Sequence, residues 1–225
     1  MEITRDLRRM LSLYVIPDRV IGAPLSLEEQ TRLALEGGAT AIQLRGKSMD
    51  GGELLAVARR MAGLCSENGA LFIVNDRLDV ALLSDADGVH LGQSDLPLTE
   101  ARKLIDSTRP FLVGVSVHTA REARQAEADG ADYLGLGAAF GTGSKDDAKV
   151  IGLHGLREVR VSTKLPCVAI GGITFENLPG VMGTGVDGAA VISAAVRGNV
   201  KSRVAALKVR LDSLALCKDS DRQGD

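Results

Sequence analysis

Short runs rich in Val, Ile and Leu alternate with longer amphipathic stretches along almost the whole chain. Eight such runs stand out, at 11–16, 40–45, 71–75, 88–92, 112–117, 133–137, 167–171 and 188–193. Their length suits buried strands, and the stretches between them carry apolar residues at helical spacing. A helix is predicted over 26–36, with Ser26 as its cap and Glu29 completing a capping box. Another is predicted over 51–68, ending before Gly69. Four junctions share a local signature: Glu36-Gly37-Gly38-Ala39, Asp85-Ala86-Asp87-Gly88, Asp129-Gly130-Ala131-Asp132 and Gly185-Val186-Asp187-Gly188. Each closes a helix with glycine or a small residue and turns into the next strand. Regular strand–helix alternation predicts an α/β fold with a parallel sheet and right-handed crossovers. Eight such units in about 200 residues fit a single (β/α)8 TIM barrel, with an open doubly wound sheet as the alternative. The barrel domain is expected to span 1–217, followed by a polar, frayed tail at 218–225.

Composition narrows the functional classes. The 225 residues are 45% hydrophobic and 25% charged, those of a globular chain long enough to bury a sizeable core. A net charge of −2, with no basic block or basic face interleaved with aromatics, argues against nucleic acid as a partner. The charged N-terminus and the lack of an apolar stretch of about 20 residues argue against a membrane, and a cytoplasmic location is expected. Cys65, Cys167 and Cys217 are far apart, without C-x-x-C spacing, and are expected to be reduced thiols rather than disulfide partners or zinc ligands.

The active site of a TIM barrel forms where its strands end, and the residues that follow the runs are chemically selective. The second run ends in Gln43-Leu44-Arg45-Gly46-Lys47, the third in Asn75-Asp76, the fourth in Gln93-Ser94-Asp95 and the fifth in Ser116-Val117-His118-Thr119. Thr142-Gly143-Ser144-Lys145 follows the sixth, Gly171-Gly172 the seventh, and Ile192-Ser193 ends the eighth. Arg45, Lys47 and Lys145 suggest a polyphosphate ligand, since guanidinium binds phosphate bidentately and ammonium adds a point charge. Asp76 and Asp95 follow adjacent strands, spaced about 5 Å apart, so a hard cation fits between them. Mg²⁺ takes one or two carboxylates and completes its shell with water and substrate phosphate. Gly171-Gly172 and Ile192-Ser193 occupy the places where many TIM barrels bind a phosphate through main-chain N–H groups. The glycine-rich segment 135–144 reads as a mobile loop carrying Thr142, Ser144 and Lys145 over the site.

Each motif also has a plainer reading: solvated cations for the lysines and Arg45, helix caps for the two aspartates, and an ordinary turn for Gly171-Gly172. His90, inside an apolar run, and His118, just past one, read as hydrogen-bonded core or rim imidazoles rather than general bases. No Ser-His-Asp order, nucleophile elbow, Walker loop or His-rich metal motif is present.

Taken together, these motifs resemble the thiamine-phosphate synthase family over nearly the whole barrel, from Leu13-Tyr14 to Ile192-Ser193. The most specific pieces are Gln43-Leu44-Arg45-Gly46-Lys47, Val74-Asn75-Asp76, His90-Leu91-Gly92-Gln93-Ser94-Asp95, Gly114-Val115-Ser116-Val117-His118-Thr119, Ala131-Asp132-Tyr133-Leu134-Gly135-Leu136-Gly137 and Ile170-Gly171-Gly172-Ile173. The resemblance implies condensation of an aminopyrimidine diphosphate with a thiazole phosphate, or its 2-carboxy form, to thiamine phosphate with release of diphosphate, and of CO2 from the carboxy form. It implies Gln43, Leu44, Arg45, Gly46, Lys47, Asn75, Ser116 and Lys145 as the residues that bind the pyrimidine diphosphate, with Arg45, Lys47, Ser116 and Lys145 catalytic. Asp76 and Asp95 are then the Mg²⁺ ligands, and Thr142, Gly143, Ser144, Gly172, Ile192 and Ser193 receive the thiazole phosphate. Three positions depart from the family's pattern. Gly46 replaces a usual acidic residue, while Gly141 and Ser144 stand in a loop that usually reads Pro-Thr-x-Thr-Lys. The expected partners are these small molecules, with assembly into a homo-oligomer left open. A thiazole tautomerase-like relative would not need Arg45, Lys47, Asp76, Asp95 and Lys145, and a non-catalytic binding protein would have no use for metal ligands.

Overall fold

The computed structural model describes residues 7–105, 109–141 and 149–221, with side chains to residue 216. Its core is a closed barrel of eight parallel strands in sequence order, β1 pairing with β8 to close the ring. The strands are β1 (Leu13–Val15), β2 (Ala41–Leu44), β3 (Leu71–Asn75), β4 (Gly88–Leu91), β5 (Leu112–Val117), β6 (Tyr133–Leu136), β7 (Cys167–Ile170) and β8 (Gly188–Val191). Between and after them run α1 (Leu27–Glu36), α2 (Gly51–Glu67), α3 (Leu78–Leu83), α4 (Leu98–Leu104), α5 (Ala120–Ala128), α6 (Gly152–Arg160), α7 (Leu178–Met182), α8 (Ser193–Val196) and α9 (Val200–Asp221). The closed ring excludes the open doubly wound sheet. Six of the predicted runs shorten by one or more residues; those lost at the C-terminal ends already belong to the loops that carry the rim. The last helix continues past residue 217 to Asp221 without a break, so helical residues occupy part of the expected tail. Residues 222–225 lie outside the described residues.

Alternation along each strand sorts side chains into two shells. Leu13, Ile42, Leu44, Val74, Val89, Leu134 and Val191 face outward into the layer between strands and helices, the larger part of the core. Tyr14, Ala41, Leu71, Ile73, Tyr133, Val168 and Ala190 face inward and fill the bore. Gln43 and Asn75 continue the inward phase of β2 and β3, and Ser116 that of β5, which delivers them to the mouth of the barrel.

The repeated junction signature has a physical basis at the opposite end. Asp87, Asp132 and Asp187 each precede an even-numbered strand and accept a main-chain N–H from the first or second residue of the preceding odd one, from Phe72, Val113 and Cys167 at 2.8, 2.6 and 2.8 Å. Thr40 plays the same part before β2, its hydroxyl accepting from the Leu13 N–H at 2.9 Å. Arg102 reinforces Asp132, and Arg8 and Arg160 reinforce Asp187. These staples fix the register of neighbouring strands, on which the inward phase of every rim residue depends.

The helix starts follow the sequence closely. Ser26, Asp50 and Thr119 cap α1, α2 and α5, each accepting from the N–H three residues on. The capping box predicted at Ser26 is only half formed: the Glu29 carboxylate pairs with Arg32 at 2.7 Å instead of reaching back to the cap. An i,i+3 partner of opposite charge is the nearer target for that side chain. Among the described residues, no helix is long and apolar enough to cross a membrane. Cys65 and Cys167 are buried free thiols, pushed up to about 12 chiefly by that burial; the Cys217 side chain is outside the described set.

Candidate functional site

One cavity opens at the C-terminal mouth of the barrel. Gln43, Arg45, Asn75, His90 and Ser116 line it from β2 to β5, and Gly171, Gly172, Ile192 and Ser193 from the ends of β7 and β8. Its floor is made of inward side chains of the strands, Tyr14, Tyr133, Val168 and Ala190 among them. Seven of the site residues expected from sequence therefore share one concave surface. His118 lies on its edge, its main-chain N–H donating to Glu122 at 2.6 Å and its ring 3.4 Å from the same carboxylate. That is the rim imidazole expected of it.

Asp76 and Asp95 stand beside this cavity rather than in its lining. Neither caps a helix: α3 is entered through Arg77 and α4 through Pro97, without a side-chain cap in either case. Asp95 folds back on its own loop and accepts the Gly92 N–H at 2.7 Å. Asp76 takes a left-handed backbone, φ 62°, held by its N–H on the His90 carbonyl at 2.9 Å. Such a conformation costs a non-glycine residue roughly 1–3 kcal/mol, and here it aims the carboxyl at the end of β3 towards Asp95. Burial first, then hydrogen bonding to Asp95 and its charge, raise the Asp76 carboxyl to about 6, while Lys47 and Arg45 pull it down. Two carboxyls and two cations from the ends of β2, β3 and β4 thus act on one another. Among the described residues there is no group of three or more His, Cys, Asp or Glu for a metal, and the carboxyls that meet here are the Asp76–Asp95 pair.

At three of the expected positions local packing bears on the reading. Leu44 is buried in the outer layer with its side chain against the helices, because alternation turns it opposite to Gln43; its side chain is no part of the site. Gly46 also faces away, since a Cβ there would meet Leu54 at 2.6 Å and Met49 at 2.7 Å. Gly172 does line the cavity, yet its φ of +60° and the 2.6 Å from a Cβ there to the Gly141 carbonyl oxygen already require glycine. Its presence is explained without a phosphate. Thr142, Gly143, Ser144 and Lys145 lie outside the described residues.

Sequence reasoning missed the floor. Tyr14 and Tyr133, the chain's two tyrosines, lie within apolar runs, yet their hydroxyls meet at 3.2 Å inside the bore. Gln43 donates to Tyr14 at 3.0 Å, and His90 bridges Tyr133, 3.1 Å from Nδ1, and Ser116, 2.9 Å from Nε2. A signal was available in two strand glycines, Gly114 and Gly135, whose inward positions leave space for rings.

Comparison with known proteins agrees with this geometry. The family described as thiamine monophosphate synthase matches residues 13–195. A thiamine-phosphate synthase of Coprothermobacter proteolyticus is 52% identical over 191 residues, covering 85% of this chain and 90% of that protein. One from Moorella thermoacetica is 52% identical over 185 residues, 82% and 87% of the two chains. Among solved structures, a thiamine phosphate pyrophosphorylase from Pyrococcus furiosus superposes with a TM-score of 0.85 at 45% identity, covering 92% of this chain and 98% of that one.

Proposed function

The chain belongs to the thiamine monophosphate synthase family, and we propose that it performs the family's transfer with Mg²⁺ held by Asp76 and Asp95. The reaction joins the methylene carbon of 4-amino-2-methylpyrimidin-5-ylmethyl diphosphate to the nitrogen of a thiazole phosphate and releases diphosphate. Loss of the diphosphate leaves a cation that the electron-rich aminopyrimidine stabilises, and the thiazole nitrogen supplies the electron pair for the new bond. No protein nucleophile is required, and the described cysteines are buried away from the cavity.

What the protein contributes is charge and position. The observation that carries the reading is the mutual influence of Asp76, Asp95, Lys47 and Arg45 at the edge of the cavity that Gln43, Asn75 and Ser116 line. Burial first, then the contact and charge of Asp95, make the ionised Asp76 carboxylate unfavourable and raise it to about 6, a cost that a hard divalent cation relieves. Mg²⁺ held by Asp76 and Asp95 would supply charge neutralisation for the diphosphate leaving group. Arg45 and Lys47 add their charges from the β2 end, and Lys145 joins them in this reading. Ser116 and Asn75 orient the diphosphate-bearing substrate. The thiazole phosphate takes the other side, over Gly171, Gly172, Ile192 and Ser193, with Thr142 and Ser144 completing its site.

The test is diphosphate release from purified protein with both substrates, with each alone, and with Mg²⁺ removed by a chelator. Release and thiamine phosphate formation only with both substrates and the metal are expected. Absence of thiamine phosphate in the complete mixture overturns the activity, and turnover unaffected by chelation overturns the metal assignment alone.

A further inference from the structure

A continuous line of hydrogen bonds crosses the bore beneath the site, from Gln43 on β2 through Tyr14 on β1, Tyr133 on β6 and His90 on β4 to Ser116 on β5. Its middle members are enclosed: Tyr14 is 2% and Tyr133 0% exposed. Two glycines make room for it. A Cβ at Gly114 would lie 2.1 Å from Tyr133 Cζ, and one at Gly135 would lie 2.9 Å from the His90 ring. Such space is kept only where the rings occupy it.

The direction of the line follows from pairing every buried proton. The Gln43 amide N–H donates to the Tyr14 oxygen, so the Tyr14 hydroxyl proton goes to its other neighbour, Tyr133. Tyr133 then accepts from Tyr14 and donates to His90 Nδ1. An imidazole that accepts at Nδ1 is neutral and carries its proton on Nε2, which donates to Ser116 Oγ. Burial pushes both phenols upward, so they remain protonated donors at any working pH. At the far end, Ser116 receives its hydrogen bond from inside the barrel, and its own proton is directed to the cavity. Phosphate oxygens are acceptors only and need such a donor.

We propose that Tyr14, Tyr133 and His90 are positioning residues, whose one-way line of hydrogen bonds fixes the His90 tautomer and so makes Ser116 a donor to the departing diphosphate. The role of Ser116 towards diphosphate rests on the function proposed above; the direction of the line does not.

The experiment has a spectroscopic and a kinetic arm. Nitrogen-15 NMR of the full-length, ligand-free protein at neutral pH reads which ring nitrogen of His90 carries the proton, with His118→Gln and His154→Gln used to remove the other two imidazole signals. The Nε2–H tautomer is expected. Tyr133→Phe, which deletes the hydroxyl but keeps the ring, should convert His90 to a mixture that includes Nδ1–H. It should also lower kcat/KM for the pyrimidine diphosphate about tenfold, the worth of one misdirected hydrogen bond, with the KM for thiazole phosphate within twofold. Tyr14→Phe, further along the line, should move both readouts in the same direction by less, and serves if Tyr133→Phe does not fold. An Nδ1–H or doubly protonated His90 in the wild type overturns the direction. A folded variant with wild-type tautomer and kinetics, or one in which both substrates' parameters fall together, overturns the positioning role. Loss of all turnover in the wild type with the Nε2–H tautomer present would count against the proposed function and leave the line's direction standing.

Discussion

Asp76→Asn separates what this carboxyl does to the fold from what it does for the reaction. The residue holds a φ of 62°, and asparagine tolerates the left-handed region as well as aspartate does, so the change adds no backbone strain. Burial, then the contact and charge of Asp95, lift the folded-state pKa from 3.8 to about 6. A carboxyl raised on folding means that the native state binds the extra proton between these values. Stability therefore falls as pH rises from about 3.8 through about 6, and stays reduced above it. Taken at roughly 1.4 kcal/mol per pH unit, the ionised form costs about 3 kcal/mol at neutral pH. Solvent screening at this half-buried position reduces that to about 1 kcal/mol. Without divalent cation, Asp76→Asn is expected to melt roughly 2–4 °C above the wild type at neutral pH, and the advantage should shrink as pH drops below about 6. Added Mg²⁺ should reverse the order. A ligand at a hundredfold its Kd stabilises the native state by about 2.7 kcal/mol, and only the wild type has both carboxylates. Differential scanning calorimetry across pH, with and without Mg²⁺, measures all of this. A variant no more stable than the wild type at neutral pH without metal would refute the electrostatic argument, and an equal Mg²⁺ response in both proteins would refute the metal site.

Gly172→Ala should destabilise the protein by about 2–3 kcal/mol, because a left-handed alanine costs roughly 1–2 kcal/mol and its Cβ would lie 2.6 Å from the Gly141 carbonyl oxygen; an unchanged denaturation midpoint would show that the loop yields freely. Asp132→Ala removes the acceptor of the Val113 N–H and the partner of Arg102, and should cost roughly 1.5–3 kcal/mol, most of it recovered in Asp132→Asn, whose carbonyl can still accept from Val113. Equal loss in both variants, read by urea unfolding, would place the value of this staple in its charge.

The strand ends were legible because barrel topology converts position in sequence into position in space. A residue just after an apolar run must stand at the mouth, so Arg45, Asn75, Ser116 and Ser193 could be read before any coordinates. Phase within the run was the neglected information. Leu44 sits between two site residues in sequence, and the period of two alone sends it to the opposite face. Gly172 shows a different limit: a glycine after β7 suits a bound phosphate as well as a crowded main chain, and the crowding by Phe140 and Gly141 is visible only in three dimensions. Glu29 failed as a capping residue because the choice between a cap and an arginine three residues on is decided by side-chain geometry, which no pattern records.

The polarity of the cavity also explains why one barrel takes two different substrates. From β2 to β5 its wall offers side-chain donors and charge, Gln43, Arg45, Asn75 and Ser116, with the aspartate pair beside them. From β7 to β8 the wall is small, apolar or main chain: Val168, Gly171, Gly172 and Ala190, with Ser193 at the end. The first surface suits a diphosphate with its cation, the second a ring and a phosphate held by N–H groups. β1 and β6 are the strands that separate these halves around the ring, and they carry the two tyrosines whose hydroxyls touch across the bore. A boundary made from residues that also set the hydrogen-bond direction of Ser116 couples the division of the site to the group proposed to face the departing diphosphate. Substitution at Tyr14 or Tyr133 should therefore be felt first on the β2–β5 side, where the line ends, although both rings line the shared floor of the cavity.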